Sequence, residues 1–228
     1  MSEFKLFDRG FKDTVLFIPG WAADYRIFNS IDIDANYLMP LVYSPFDFDM
    51  DLLRSMNKYN LDRVSVIGWS MGGFIGHDLL LKHKDRIADI TFVGVRKEYT
   101  EEEIESSRNL LKKNRAAFLY RFYSECFSKE EGRERSCFKN GLMRDYLNEM
   151  NEGILLEGLQ YLSSSRIKPQ VLRGIKTKFI HGLKDRIAPV KEVMELKEEA
   201  PDMELITIKD AGHIPFLKNN FKEICRIM

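Results

Sequence analysis

The chain has 228 residues, 35 Lys and Arg against 35 Asp and Glu, and is 44% hydrophobic and 31% charged. That balance suits one large or two small folded domains, excludes disorder as the dominant state, and leaves no basic surplus for general nucleic-acid binding. Apolar runs such as Val15-Leu16-Phe17-Ile18 are far shorter than the roughly 18 residues of a membrane-spanning helix, so no membrane contact is expected. The opening Met1-Ser2-Glu3-Phe4-Lys5 has no basic stretch leading into an apolar one, so no secretory signal is predicted. Cys126, Cys137 and Cys225 are odd in number and lack C-x-x-C spacing, which argues against a disulfide framework or a zinc site. A reducing, cytoplasmic setting is expected, without metal or organic cofactor.

Short, nearly continuous apolar runs alternate with helix-like segments. Thr14–Ile18 and Tyr37–Tyr43 read as strands, Met50–Lys58 as a helix, Arg63–Ile67 as a strand, Met71–Lys82 as a helix and Ile90–Val95 as a strand. Runs of this kind are covered on both faces, as in a parallel sheet. The alternation then stops. Glu101–Lys113, Arg115–Phe127, Glu130–Asn151 (interrupted) and Gly153–Ser163 read as helices rich in charge, Phe and Tyr. It resumes with strand Thr177–His181, helix Pro189–Glu199, strand Glu204–Ile208 and helix Phe216–Ile227. The expected architecture is a doubly wound α/β core, residues 1–96 and 171–228, with a helical insertion at 97–170.

The sharpest motif is Gly68-Trp69-Ser70-Met71-Gly72, directly after a strand-like run and directly before a helix-like one. A sharp strand-to-helix turn strains Ser70, and bulky residues at 68 or 72 would clash with it. The turn exposes the Ser70 hydroxyl and places the Met71 N–H at a helix N-terminus, where it can face a developing oxyanion.

A nucleophilic serine needs a base, and the base an orienting acid. Of four histidines, His77 and His83 fall on the helix after Ser70, where a satisfied surface or core role suits them, and His181 ends a strand, where packing or capping does. His213 lies in the loop Asp210-Ala211-Gly212-His213-Ile214-Pro215, where Gly212 leaves room for an exposed imidazole. Asp185 follows the next-to-last strand, where α/β sites are built. Asp210 is its rival, three residues from His213, and Asp185 has alternative uses in surface pairing or helix capping. The loop Pro19-Gly20-Trp21 leaves the first strand, so the Trp21 N–H is the candidate second oxyanion donor.

Pro-Gly-Trp after a strand, Gly-Trp-Ser-Met-Gly-Gly, Gly-x-x-Asp-x-x-x-Pro and Gly-His-x-Pro-Phe together resemble the α/β-hydrolase superfamily over nearly the whole chain. Within it the chain is similar to pimeloyl-[acyl-carrier-protein] methyl ester esterases of biotin synthesis. The resemblance implies a mostly parallel sheet of about seven strands, including one at Phe4–Phe7, with helices on both faces and the insertion as a lid. It implies a Ser70–Asp185–His213 triad, Trp21 and Met71 as oxyanion donors, and Trp69 lining an acyl pocket. It also implies a carrier protein docked on basic lid residues, for which Arg115 and Arg121 are the candidates. Where this family commonly has His-Gly in the oxyanion loop, the chain has Pro19-Gly20.

Between residues 108 and 144, ten basic residues face four acidic ones, Glu125, Glu130, Glu131 and Glu134. That surplus suits an acidic partner, or a solvated surface balanced by Glu101, Glu102, Glu103 and Glu105. Phe118, Phe122, Phe127 and Phe138 are expected to pack the insertion on the core, with Phe118 and Phe122 lining the acyl channel. The expected activity is a serine carboxylesterase, working as a monomer. The rivals are a general short-chain carboxylesterase, a thioesterase or C–C hydrolase with the same triad, and a non-catalytic binding protein of the same fold.

Overall fold

The computed structural model describes residues 3–217. Seven strands form one sheet: β1 (Glu3–Phe7), β2 (Thr14–Ile18), β3 (Asn36–Val42), β4 (Val64–Trp69), β5 (Ile87–Val93), β6 (Lys176–Gly182) and β7 (Glu204–Ile208). Their spatial order is β1-β3-β2-β4-β5-β6-β7; β1 runs antiparallel to β3 and the other neighbours are parallel. All five residues of β2 are buried, as an apolar run inside a parallel sheet requires. From β2 the chain moves one way to β3, then returns past β2 to β4 and continues to β7. The strand order therefore reverses between β2 and β4, and the crevice at the carboxyl ends of those strands is where open α/β sheets build sites.

Helices α1 (Phe48–Lys58) and α2 (Met71–His83) precede and follow β4. Strand β4 runs two residues beyond its predicted end, up to Ser70, whereas β5 stops at Val93 rather than Val95. Gly94 ends β5 by taking φ +56°, and its N–H turns to Ile180 O at 3.0 Å.

Five helices fill the interval between β5 and β6: α3 (Glu101–Lys113), α4 (Arg115–Glu125), α5 (Gly132–Asn140), α6 (Leu142–Glu149) and α7 (Glu152–Ser164). Their starts are written in the caps. Thr100 and Glu103 form a reciprocal capping box, and the Asn114 and Asn151 carboxamides accept the Ala117 and Ile154 N–H groups at 3.0 Å. The segment leaves and re-enters the core at one place, where Ile167 N–H donates to Lys97 O at 2.9 Å and Glu98 bridges Arg166. Helix α8 (Val190–Glu199) links β6 to β7, with Pro189 as its N-cap. The predicted helix Phe216–Ile227, beyond Leu217, and Cys225 lie outside the described residues. Among the described residues no helix is long and apolar enough to cross a membrane.

Candidate active site

Ser70 stands between β4 and α2 at φ 52° and ψ −118°, one of three non-glycine residues with positive φ among the described residues. Such a conformation costs about 1–3 kcal/mol and persists only where the surroundings impose it. They do so here through glycine. A Cβ on Gly68 would lie 2.5 Å from Gly72 O, and one on Gly72 only 2.1 Å from Ile18 O. On the neighbouring loop, a Cβ on Gly20 would meet the Ser70 Cβ at 3.0 Å, so Pro19-Gly20-Trp21 is pressed against the serine. Met71 opens α2, and its N–H has no partner within the helix.

The loops after β6 and β7 bring Asp185 and His213 together. His213 Nδ1 lies 2.8 Å from Asp185 Oδ2, while Asp185 Oδ1 accepts the Ile187 and Ala188 N–H groups at 2.8 and 2.9 Å. Asp185 thus caps its own loop and holds the imidazole at once. It is Asp185, then, that meets the imidazole, while the backbone oxygen of Asp210 accepts Ser128 Oγ at 2.8 Å. With the Nδ1–H donated to Asp185 Oδ2, His213 Nε2 keeps a free lone pair, and among the described residues it has no hydrogen-bond partner.

Contrary to the expectation of an exposed imidazole, His213 is 0% exposed. Gly212 is needed for close packing instead, since a Cβ there would lie 2.4 Å from Cys126 O. Trp69 also differs from expectation. It is buried rather than part of the cleft wall, and its indole N–H donates to His213 O at 2.7 Å. In an apolar cleft that donor would go unmet, and the carbonyl beneath His213 satisfies it.

A cleft of about 440 Å³ opens over Ser70. Trp21, Ile104, Phe118, Phe122 and Leu159 give it apolar walls. The Phe118 and Phe122 rings stand 6.0 and 5.0 Å from that of Trp21, whose indole N–H donates to Leu155 O in α7 at 2.9 Å. Arg121 is at the cleft, paired with Glu125 at 2.8 Å. Arg115 is half-buried and donates to Met150 O, tying α4 to the end of α6. The other two phenylalanines, Phe127 and Phe138, are buried together.

Sequence reasoning missed several neighbours of the site. Tyr99 lines the cleft together with Ser70, its ring over the Arg96 guanidinium at 4.6 Å. Burial, above all, pushes the Tyr99 phenol up, with Asp185 and Glu103 adding to the shift. Arg96 is held by Glu192 at 2.7 Å and Glu103 at 3.0 Å. His181 lies behind the acid, its Nε2 donating to Ala188 O at 2.7 Å and 3.7 Å from Asp185 Oδ2. Burial holds its imidazole below the usual range despite the pull of Asp185. Glu131, counted from sequence among the surface charges of the insertion, is fully buried. Only the proximity of residues 96–99 to the end of β5 carried a sequence signal for any of these.

Residues 39–141 match the sequence model of a family described as alpha/beta hydrolase fold. The chain has the α/β-hydrolase fold. An AB hydrolase superfamily protein, YisY of Bacillus subtilis, is 23% identical over 94% of this chain and 90% of its own. A pimeloyl-[acyl-carrier protein] methyl ester esterase of Legionella pneumophila is 26% identical over 88% of this chain and 87% of its own. Among solved structures, an esterase from Exiguobacterium antarcticum superposes with a TM-score of 0.84 at 19% identity, covering 99% of this chain and 95% of that one.

Proposed function

We propose that this α/β hydrolase is a serine carboxylic-ester hydrolase. The observation that carries the reading is the 2.8 Å contact between His213 and Asp185 beside a strained Ser70 that opens into an apolar cleft. His213 Nε2 takes the Ser70 proton as the oxygen attacks the ester carbonyl, and Asp185 steadies the imidazolium. The Trp21 and Met71 N–H groups hold the oxyanion, each contributing about 3–4 kcal/mol by analogy with such donors elsewhere. The imidazolium then protonates the leaving alcohol, and the neutral ring activates the water that releases the acyl group. The helical segment 97–170 serves as the lid, and its Phe118 and Phe122 contact the acyl chain.

The narrower reading is a methyl ester on an acyl chain borne by acyl carrier protein, as in biotin synthesis. Two relatives bearing the pimeloyl-[acyl-carrier protein] methyl ester esterase name support it, as does the basic surplus of the insertion. The test is hydrolysis of p-nitrophenyl esters from acetate to laurate beside pimeloyl methyl ester on carrier protein, by wild type and Ser70→Ala. A much higher kcat/KM on the carrier-bound ester, lost in Ser70→Ala, is expected. Good small-ester activity without carrier preference would refute the narrower reading and leave a general carboxylesterase. Arg121→Glu should weaken carrier-bound cleavage alone. Arg115→Glu is a poorer probe, because it also breaks the bond to Met150 O.

A further inference from the structure

The turn between α4 and α5 belongs to the helical segment, yet its polar contacts run to the histidine loop. His213 N–H donates to Cys126 O at 2.7 Å, and Ser128 Oγ donates to Asp210 O at 2.8 Å. Gly212 N–H donates to Glu131 Oε2 at 2.7 Å, and the same oxygen accepts Ser128 N–H at 2.7 Å. One carboxylate oxygen therefore closes the turn on itself and grips the peptide just before His213.

Nothing about Glu131 suggests this from sequence. It sits in Lys129-Glu130-Glu131-Gly132-Arg133-Glu134, a run that reads as solvated. In the fold it is 0% exposed. Burying a carboxylate is costly unless strong donors meet it, and charge-assisted bonds to backbone N–H groups are directional. Such a group fixes the geometry of the peptides it binds. Gly212 completes the fit, because a Cβ there would stand 3.0 Å from Glu131 Oε2 as well as 2.4 Å from Cys126 O. Any side chain at 212 would push the turn and the histidine loop apart.

We infer that Glu131 is a positioning residue for His213. It clamps the Asp210–His213 loop to the 126–131 turn and so maintains the contact of the imidazole with Asp185. The turn is then an anchor of the helical segment rather than its hinge. The segment cannot lift away at this point without withdrawing His213 from the site. This inference rests on the serine-hydrolase reading and adds to it a residue that touches neither substrate nor the reacting atoms.

The test measures kcat and KM for p-nitrophenyl acetate, per active site titrated with a fluorophosphonate, in wild type, Glu131→Ala, Glu131→Gln and Glu131→Asp. Displacing a catalytic group by an ångström costs on the order of 100-fold, so Glu131→Ala should lose roughly that in kcat per titrated site. KM should stay within about threefold, because no contact to substrate is removed. In Glu131→Gln the amide oxygen can accept both N–H groups, and kcat should return to within about tenfold of wild type. If Glu131→Ala does not fold, Glu131→Asp, with a shorter reach to the same two donors, should show the kcat loss. Wild-type kcat per titrated site in the Ala or Asp variant would overturn the inference, whatever happens to thermal stability. Equal losses in the Gln and Ala variants would overturn it too. A wild-type chain that neither labels nor hydrolyses would instead sink the hydrolase reading, which separates the two failures.

Discussion

Replacing Asp185 by Asn keeps the volume of the side chain and changes what it can accept. The carboxylate now serves three N–H donors, the backbone of Ile187 and Ala188 at Oδ1 and His213 Nδ1 at Oδ2. An amide has a single acceptor oxygen. Two backbone donors in a fixed turn outweigh one ring, so the oxygen stays at the Oδ1 position and the NH2 faces His213. The ring must then accept at Nδ1 and carry its proton on Nε2, the nitrogen that has no other partner. A proton there blocks uptake of the proton from Ser70. The same substitution in another Ser–His–Asp enzyme costs about 10⁴ in kcat, which is about 5.4 kcal/mol of barrier. Stability should fall far less, by about 1–2 kcal/mol, since the two backbone bonds survive. The assay is kcat on p-nitrophenyl acetate beside a urea unfolding curve. A kcat within tenfold of wild type in a folded Asp185→Asn protein would refute the tautomer argument and the assigned role of Asp185.

Gly72→Ala places a Cβ 2.1 Å from Ile18 O, so the turn must move; kcat should drop by on the order of 100-fold at unchanged secondary structure, and near-normal kcat would contradict the account. Trp69→Phe strips the donor from His213 O and leaves a buried carbonyl unmet, which should cost about 1–3 kcal/mol in urea unfolding and lower kcat with little change in KM. His181, held below the usual imidazole range by burial, takes up protons on unfolding. Its contribution to stability is fully present above about pH 6.5 and is lost as pH falls toward its folded value. Urea midpoints from pH 8 to 5 should therefore fall more steeply in wild type than in His181→Gln; parallel curves would count against the shift.

The sheet was legible because its strands are apolar runs covered on both faces, and β2 is buried throughout. The turn at Ser70 was legible because Gly68 and Gly72 lie beside it in sequence, and their demand is for backbone space that nearly any side chain would fill. Asp185 and His213 could be paired because loops at the carboxyl ends of adjacent parallel strands face one crevice. Other features depend on where a side chain turns after packing. The position of Trp69 alone suits cleft and core equally, and the carbonyl of His213, 144 residues away, decides it. Arg115 reads as a surface cation until its acceptor, Met150 O, is in place 35 residues on. Glu131 sits in a charged run, and only the approach of Gly212 explains its burial. The exposed imidazole expected at His213 failed for the same reason: the turn that covers it comes from a distant segment.

If Ser70 is a nucleophile served by His213, labelling with a fluorophosphonate, followed by mass spectrometry of the modified peptide, should find a single adduct on Ser70. It should form in step with loss of ester hydrolysis, be absent in Ser70→Ala and form much more slowly in His213→Ala. Hydrolysis that survives full labelling of Ser70, or wild-type activity in Ser70→Ala, would contradict that role.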